Sequence, residues 1–263
     1  MWIMLFTILM GCQQDIPVPV SPPKKDPTKE WTSLLLQIST EDGLDFEMLQ
    51  KNEDILNRYV AWTGTLGPQS NLHSKDDVWP KNGQQSYRLV HFINAYNAWL
   101  LRAYLNADQP QNIDQTDFFG GFFWGQRVWV DGEWMSFTHL SEERLLATFQ
   151  EPKIHIMLHQ LGADSPDLQF WHPNTWKSAS DMAFQRFLNS SKGSRKMDDG
   201  QWEFNQLFQD WQKDFIDWSN EDNLCSYLGQ YAEEDLQQWL KHQSTEGCPL
   251  NFFETNWTVP KNK

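Results

Sequence analysis

Apolar residues recur at helical spacing through most of the chain after its first thirty positions. Between residues 31 and 62 this pattern predicts two or more amphipathic helices, and the glycine- and proline-containing segment 64–68 ends them. The longest helical pattern covers residues 87–105 and is apolar on most sides, so it predicts a central, buried helix. Helical periods also cover 176–188, 202–218 and 224–240. Residues 141–149 predict a short helix capped by Ser141, and residues 153–159 a short buried strand or helix.

A different pattern occupies residues 127–137. Asp131 and Gly132 lie there between alternating β-forming residues, which is a strong short-range signal for a β-hairpin. The sequence therefore predicts an α+β fold, a helix-rich single domain with a small antiparallel β-sheet or hairpin. It contains no internal repeat and no glycine-rich phosphate loop, and we predict no cofactor.

The start of the chain has features of an exported protein. Residues 1–10 are apolar and uncharged, and this run is shorter than the roughly 20 residues that cross a bilayer. Residues 9–12 (LMGC) then resemble a lipobox, so we predict a signal peptide at 1–11 and lipid on Cys12. A short leader without lipid is the alternative, because a basic n-region is missing. The proline-rich segment 12–30 predicts an extended tether, and 31–263 the globular domain.

Composition and charge limit the cellular location and the classes of partner that the sequence predicts. Lipid on Cys12 implies a membrane-anchored protein of the bacterial cell envelope, facing the periplasm or in the outer membrane, and Gln13 favours outer-membrane delivery. The net charge of −14 and the isoelectric point near 4.8 exclude nucleic acid as a partner, because its phosphates would be repelled. In this oxidising setting Cys225 and Cys248 are expected to form a disulfide, and two buried free thiols are the alternative.

Four polar residues are candidates for a site. Asn94 and Asn97 lie three positions apart on the predicted central helix, so their amides share one face. They could be a polar anchor under a site, or they could bind the backbone of a neighbouring loop. His155 and His159 are four apart, a spacing that two metal ligands could use. No third ligand is placed by the local sequence, so we predict no metal site.

Two further features could carry chemistry or binding. Ser165 lies in a polar turn after the His155 segment, and it could be a nucleophile with His155 as its base, although the Gly-x-Ser-x-Gly elbow is absent. An ordinary turn serine is the alternative. The aromatic block 118–124, together with Trp129 and Trp134, could be a stacking surface for an envelope glycan, or it could fill the core.

Several motifs together resemble the bacterial family called domain of unknown function 547 (DUF547). The motifs are residues 92–98 (FINAYNA), 154–158 (IHIML), 202–215 (WEFNQLFQDWQKDF) and the closing 253–257 (FETNW). The resemblance extends from about residue 44 to residue 260. Typical members carry two cysteines where this chain has Gln160 and Ser165. If the family's site is a thiol site, the resemblance implies that this chain has lost its nucleophile or replaced it by Ser165.

Two hypotheses about function follow. The first, which we favour, is a non-catalytic envelope lipoprotein that keeps the family fold and binds or scaffolds an envelope glycan or protein partner. The second is a hydrolase or acyl transferase that uses Ser165 and His155, positioned by Asn94 or Asn97, on an envelope peptide, ester or glycan. The two differ in whether these side chains meet in an open cleft.

Overall fold

A computed structural model describes residues 13–40, 43–66, 84–114 and 121–260. It confirms a helix-rich α+β fold with small sheets. The helices are α1 Thr28–Ile38, α2 Phe46–Lys51, α3 Glu53–Thr63, α4 Gln84–Asn106, α5 Phe122–Gly125, α6 Phe137–His139, α7 Ala147–Phe149, α8 Ile154–Met157, α9 Trp176–Leu188, α10 Gln206–Asp210, α11 Gln212–Asp217, α12 Leu224–Gly229 and α13 Glu234–Thr245, with a π-helical segment Leu140–Leu146 between α6 and α7. The predicted signal peptide 1–11, Cys12 and part of the aromatic block, residues 118–120, lie outside the described residues.

The strands form three small sheets. They are β1 Gln14–Asp15, β2 Ser39–Thr40, β3 Gly43–Leu44, β4 Gln126–Val130, β5 Glu133–Ser136, β6 Ser194–Lys196, β7 Trp202–Asn205 and β8 Asn251–Phe253. The orders are β1-β4-β5, β2-β3 and β6-β7-β8. β1 runs parallel to β4 and β8 parallel to β7, while the other neighbouring pairs are antiparallel.

The central helix α4 organises the larger of two hydrophobic clusters. Its residues are buried on nearly every side, from Leu89 to Tyr104, as the continuous apolar pattern predicts. Helices α1, α2 and α3 and the strands β4 and β5 also contribute buried residues to this cluster. The second cluster lies around α9 to α13. Among the described residues, no helix combines the length and the apolar character that a bilayer span requires.

The predicted hairpin is confirmed as β4 and β5. Asp131 and Gly132 form its two-residue turn and both have positive φ angles, 56° and 77°. These angles are typical of a type I′ turn, whose twist matches that of the flanking strands. The Gly132 amide also donates to the Gly64 carbonyl at 2.8 Å, which ties the turn to the end of α3.

The first described residues, 13–16, lie against the domain, whereas the sequence predicts a free tether over residues 12–30. Ile16 is fully buried, and its amide donates to the Arg127 carbonyl at 2.8 Å. Asp15 forms an ion pair with Arg127 at 2.6 Å. The segment is extended, as its prolines predict, but β1 adds a parallel strand to β4. The ordered domain therefore begins well before residue 31.

Two boundaries also differ from the sequence prediction. Ser136, rather than Ser141, caps the helical segment after the hairpin, because its hydroxyl accepts a hydrogen bond from the His139 amide at 3.1 Å. Residues 202–205 form strand β7 rather than the start of a helix. The pairing of β7 with β6 and β8 decides this second case, and the local apolar pattern does not reveal those pairings.

The disulfide prediction is confirmed. Cys225 and Cys248 are bonded, with their Cα atoms 5.7 Å apart. The bond joins α12 to the turn after α13 and closes a loop with a sequence separation of 23. It lies in the second cluster, so it braces the C-terminal half of the domain.

Candidate functional site

Helix α8 brings His155 to the boundary between the two hydrophobic clusters. Ile154 and Met157 pack into the larger cluster, whereas Ile156 packs into the second one. His155 is also buried, and its Nε2 lies 2.8 Å from Oδ2 of Asp214 on α11. The short helix therefore acts as a bridge between the two parts of the core.

The surroundings of His155 hold its ring rather than expose it. The ring stacks on Trp211, with centroids 4.5 Å apart, and lies near the rings of Phe215 and Trp218. Burial lowers the pKa of His155, and the hydrogen bond with Asp214 opposes that shift. A neutral His155 donates its Nε2 proton to Asp214, so this nitrogen is occupied.

The predicted pair of Ser165 and His155 is not formed. The Ser165 hydroxyl has no hydrogen-bond partner among the described residues, whereas His155 binds Asp214. Both residues are almost completely buried, with 1% of Ser165 and 4% of His155 exposed. A nucleophile and its base must meet within hydrogen-bond reach. Ser165 and His155 do not meet in this way, because the Ser165 hydroxyl has no partner in the described part of the chain and His155 binds Asp214.

Asn94 and Asn97 bind backbone groups of neighbouring segments. This is the alternative that the sequence left open beside a polar anchor under a site. Asn94 accepts a hydrogen bond from the Trp171 amide at 3.0 Å and donates to the Trp171 carbonyl at 2.8 Å. Asn97 donates to the Met157 carbonyl at 2.9 Å and accepts from the His159 amide at 2.9 Å. Each side-chain amide thus satisfies one donor and one acceptor of buried chain. These pairings anchor α4 to the Trp171 loop and to the end of α8.

His155 and His159 do not converge on a common point. His159 Nδ1 lies 2.7 Å from the Pro166 carbonyl, while His155 binds a carboxylate on another element. Burial lowers the pKa of His159 to about 4. Within the described ranges, no group of three metal-ligating side chains is assembled.

Sequence reasoning missed Asp214 as the partner of His155. Asp214 lies within the segment 202–215 that carries part of the family resemblance, but the motif does not indicate that its carboxylate binds a histidine. A contact across 59 positions leaves no local signature in the chain. The sequence also suggested a pairing of His159 with His155, whereas in the structure His159 lines a cavity that Ser165 lines too.

A second candidate site lies beside the hairpin. Trp124 and Trp134 are 37% and 38% exposed there, and the other tryptophans of the described residues are buried or only partly exposed. They line a groove of about 410 Å³. The rest of the aromatic block is divided, because Phe122 is in the core and Trp129 packs closely over Gly64.

The charged side chains that line this groove are mostly acidic. Glu133, Glu142 and Glu143 line it together with Arg127 and His139. Arg127 is paired with Asp15, Glu133 with Arg144, and Glu143 with His139 at 3.3 Å. Glu142 forms no ion pair within the described part of the chain. The groove therefore places two partly exposed tryptophans beside carboxylate acceptors.

Comparison with known proteins adds no relative. A scan against protein-family models found no match to the chain, and searches of curated proteins and of solved structures found none either. The resemblance to DUF547 thus rests on the quoted motifs and stays a prediction.

Proposed function

We propose that the chain is a non-catalytic lipoprotein of the cell envelope that binds an uncharged glycan in the groove of Trp124 and Trp134. The observation that carries this proposal is the pair of exposed tryptophans beside carboxylate acceptors. We further propose that it is a divergent DUF547 member that keeps the family fold without the family's nucleophile. Lipid on Cys12 would hold it to a membrane.

The state of the other candidate residues supports binding over catalysis. His155 is sealed by Trp211 and bound to Asp214, and the two asparagines are occupied by backbone groups. The Ser165 hydroxyl has no hydrogen-bond partner, and hence no base, among the described residues. Residues used in this way stabilise the fold, and they supply no nucleophile, base and donor around one substrate position.

The chemistry of the groove supports a glycan. The apolar C–H face of a sugar ring packs on an exposed indole, while sugar hydroxyls donate hydrogen bonds to carboxylates such as that of Glu142. The lining carries three glutamates, and the whole chain has a net charge of −14. Phosphorylated or uronic-acid polymers would be repelled. An uncharged glycan is the class that fits both properties.

The position of the groove supports a ligand near the membrane. Gln13 lines the groove, and its side-chain amide donates to the Trp124 carbonyl at 2.9 Å. Cys12, the expected site of lipid attachment, is its immediate neighbour in sequence. A lipid on that residue would place the groove on the membrane-proximal side of the domain.

The test is calorimetric titration of the full chain with chitohexaose, an uncharged oligomer of N-acetylglucosamine. We expect saturable binding that weakens about tenfold or more in W124A and in W134A, since a tryptophan at the centre of a contact commonly carries 1 to 2 kcal/mol or more of binding energy. M182A is the matched control, because Met182 is 58% exposed on α9, outside the groove.

Two results would overturn the proposal. The first is absence of chitohexaose binding, and the second is equal binding by the wild type and both tryptophan variants. Hexagalacturonic acid, which is anionic, should not bind. A fluorophosphonate probe should leave Ser165 unlabelled, and labelling at Ser165 would instead support the hydrolase hypothesis.

A further inference from the structure

A second cavity, separate from the tryptophan groove, lies between the β2–β3 hairpin, the loop around Ser165 and the C-terminal segment. Its volume is about 440 Å³, which is within the range of small-molecule sites. His159 and Ser165 line it. The walls are otherwise mainly apolar, formed by Leu44, Phe46, Leu161, Leu168, Val259 and Pro260.

The Ser165 hydroxyl is buried at this cavity without a partner among the described residues. Its loop is firmly held, because the Ser165 amide donates to the Gly162 carbonyl at 3.0 Å. The neighbouring Asp164 accepts from Arg195 at 3.0 Å and from the Asn256 amide at 3.2 Å. Leaving a buried hydroxyl unsatisfied is costly. A ligand with a polar group would remove that cost.

His159 adds a hydrogen-bond acceptor to the same cavity. A carbonyl only accepts hydrogen bonds, so the 2.7 Å contact with Pro166 places the proton on Nδ1. Nε2 of the neutral ring then keeps its lone pair. The His159 amide is held by Asn97, so the ring belongs to a braced segment. The hydrogen bond from the His159 amide to Asn97 therefore also positions this acceptor.

The charged residues that line the cavity compensate each other. They are Asp167 and Lys192, whose carboxylate and ammonium lie 2.8 Å apart. A charged ligand would therefore find no unpaired counter-ion among the lining residues that the structure describes. The apolar walls, the His159 acceptor and the Ser165 hydroxyl therefore fit a neutral ligand.

We propose that this cavity binds an uncharged small molecule with an apolar body and a hydrogen-bond donor. The Ser165 hydroxyl oxygen and His159 Nε2 are the groups that accept from this donor. The site is independent of the glycan groove, so either can fail without the other. It also gives Ser165 a binding role that needs no nucleophilic step.

The probe for the test is N-phenyl-1-naphthylamine, which is neutral, apolar and has one N–H donor. Fluorescence titration of the full chain in detergent-free buffer should show one saturable site. S165A should weaken binding about fivefold, the loss expected for one hydrogen bond. S180A is the matched control, because Ser180 is equally buried on α9 but does not line the cavity. The sulfonated analogue, 8-anilinonaphthalene-1-sulfonate, should bind more weakly than the neutral probe.

Urea unfolding of the same variants separates binding from folding. S165A removes no hydrogen bond of the protein, so it should be at least as stable as the wild type. S180A removes the bond from its hydroxyl to the Lys177 carbonyl and should be less stable. The proposal is overturned if the neutral probe does not saturate, if S165A binds it like the wild type, or if the sulfonate binds more tightly.

Discussion

Replacing Asn94 by alanine should destabilise the protein strongly without acting through any ligand. The side chain pairs with both backbone groups of Trp171, at 2.8 Å and 3.0 Å, and Trp171 is 1% exposed. The variant leaves one buried donor and one buried acceptor unsatisfied. At about 1 to 3 kcal/mol for each group, the free energy of unfolding should fall by about 2 to 6 kcal/mol. That is a large part of the ~5 to 15 kcal/mol typical of a domain.

The assay is urea unfolding followed by circular dichroism. N174A is the matched control, since Asn174 is exposed in a loop and its replacement should change the free energy of unfolding by less than about 0.5 kcal/mol. A loss below about 1 kcal/mol in N94A would refute the reasoning, because it would show that water or a shifted loop satisfies the Trp171 backbone. N94A should also bind chitohexaose normally while folded, and a selective loss of binding would instead make Asn94 a site residue.

Three further predictions concern pH, the disulfide and the hairpin. Burial lowers the pKa of His91 and of His159 to about 4, below the unfolded value near 6.5, so the unfolded chain binds more protons as the pH falls through this window. Stability should decrease from pH 7 to pH 5 by about 2 kcal/mol for each histidine, and H159Q should remove its share of this slope. An unchanged slope in H159Q would contradict the assignment. Replacing Cys225 and Cys248 by alanine should cost about 3 kcal/mol in urea unfolding, from the loop of 23 positions that the bond closes. An equally stable double variant would show that the unfolded chain is not constrained by the bond. G132A should lower the thermal midpoint, at a cost of about 1 kcal/mol, because alanine strains the φ of 77°. A midpoint equal to that of the wild type would mean that the turn relaxes.

The order of the elements follows largely from local patterns. The continuous apolar stretch that becomes α4 has to be buried on all sides, and Asp131 with Gly132 can adopt the positive φ angles of a tight hairpin turn. The cysteine pair could be predicted from the oxidising setting that the N-terminal motif implies. These features depend on neighbouring residues or on composition, so the sequence alone contains them.

Long-range pairings decided the rest, because a contact between distant residues leaves no periodic trace. The strand at residues 202–205 depends on two partner strands. Ile16 is buried because its segment lies on β4, more than a hundred positions away. His155 and Ser165 are ten positions apart in the chain, yet His155 binds Asp214 and Ser165 shares a cavity with His159. The apolar pattern around Asn94 and Asn97 was enough to predict that these two amides are buried, and the tertiary structure decided which partner each buried polar residue meets.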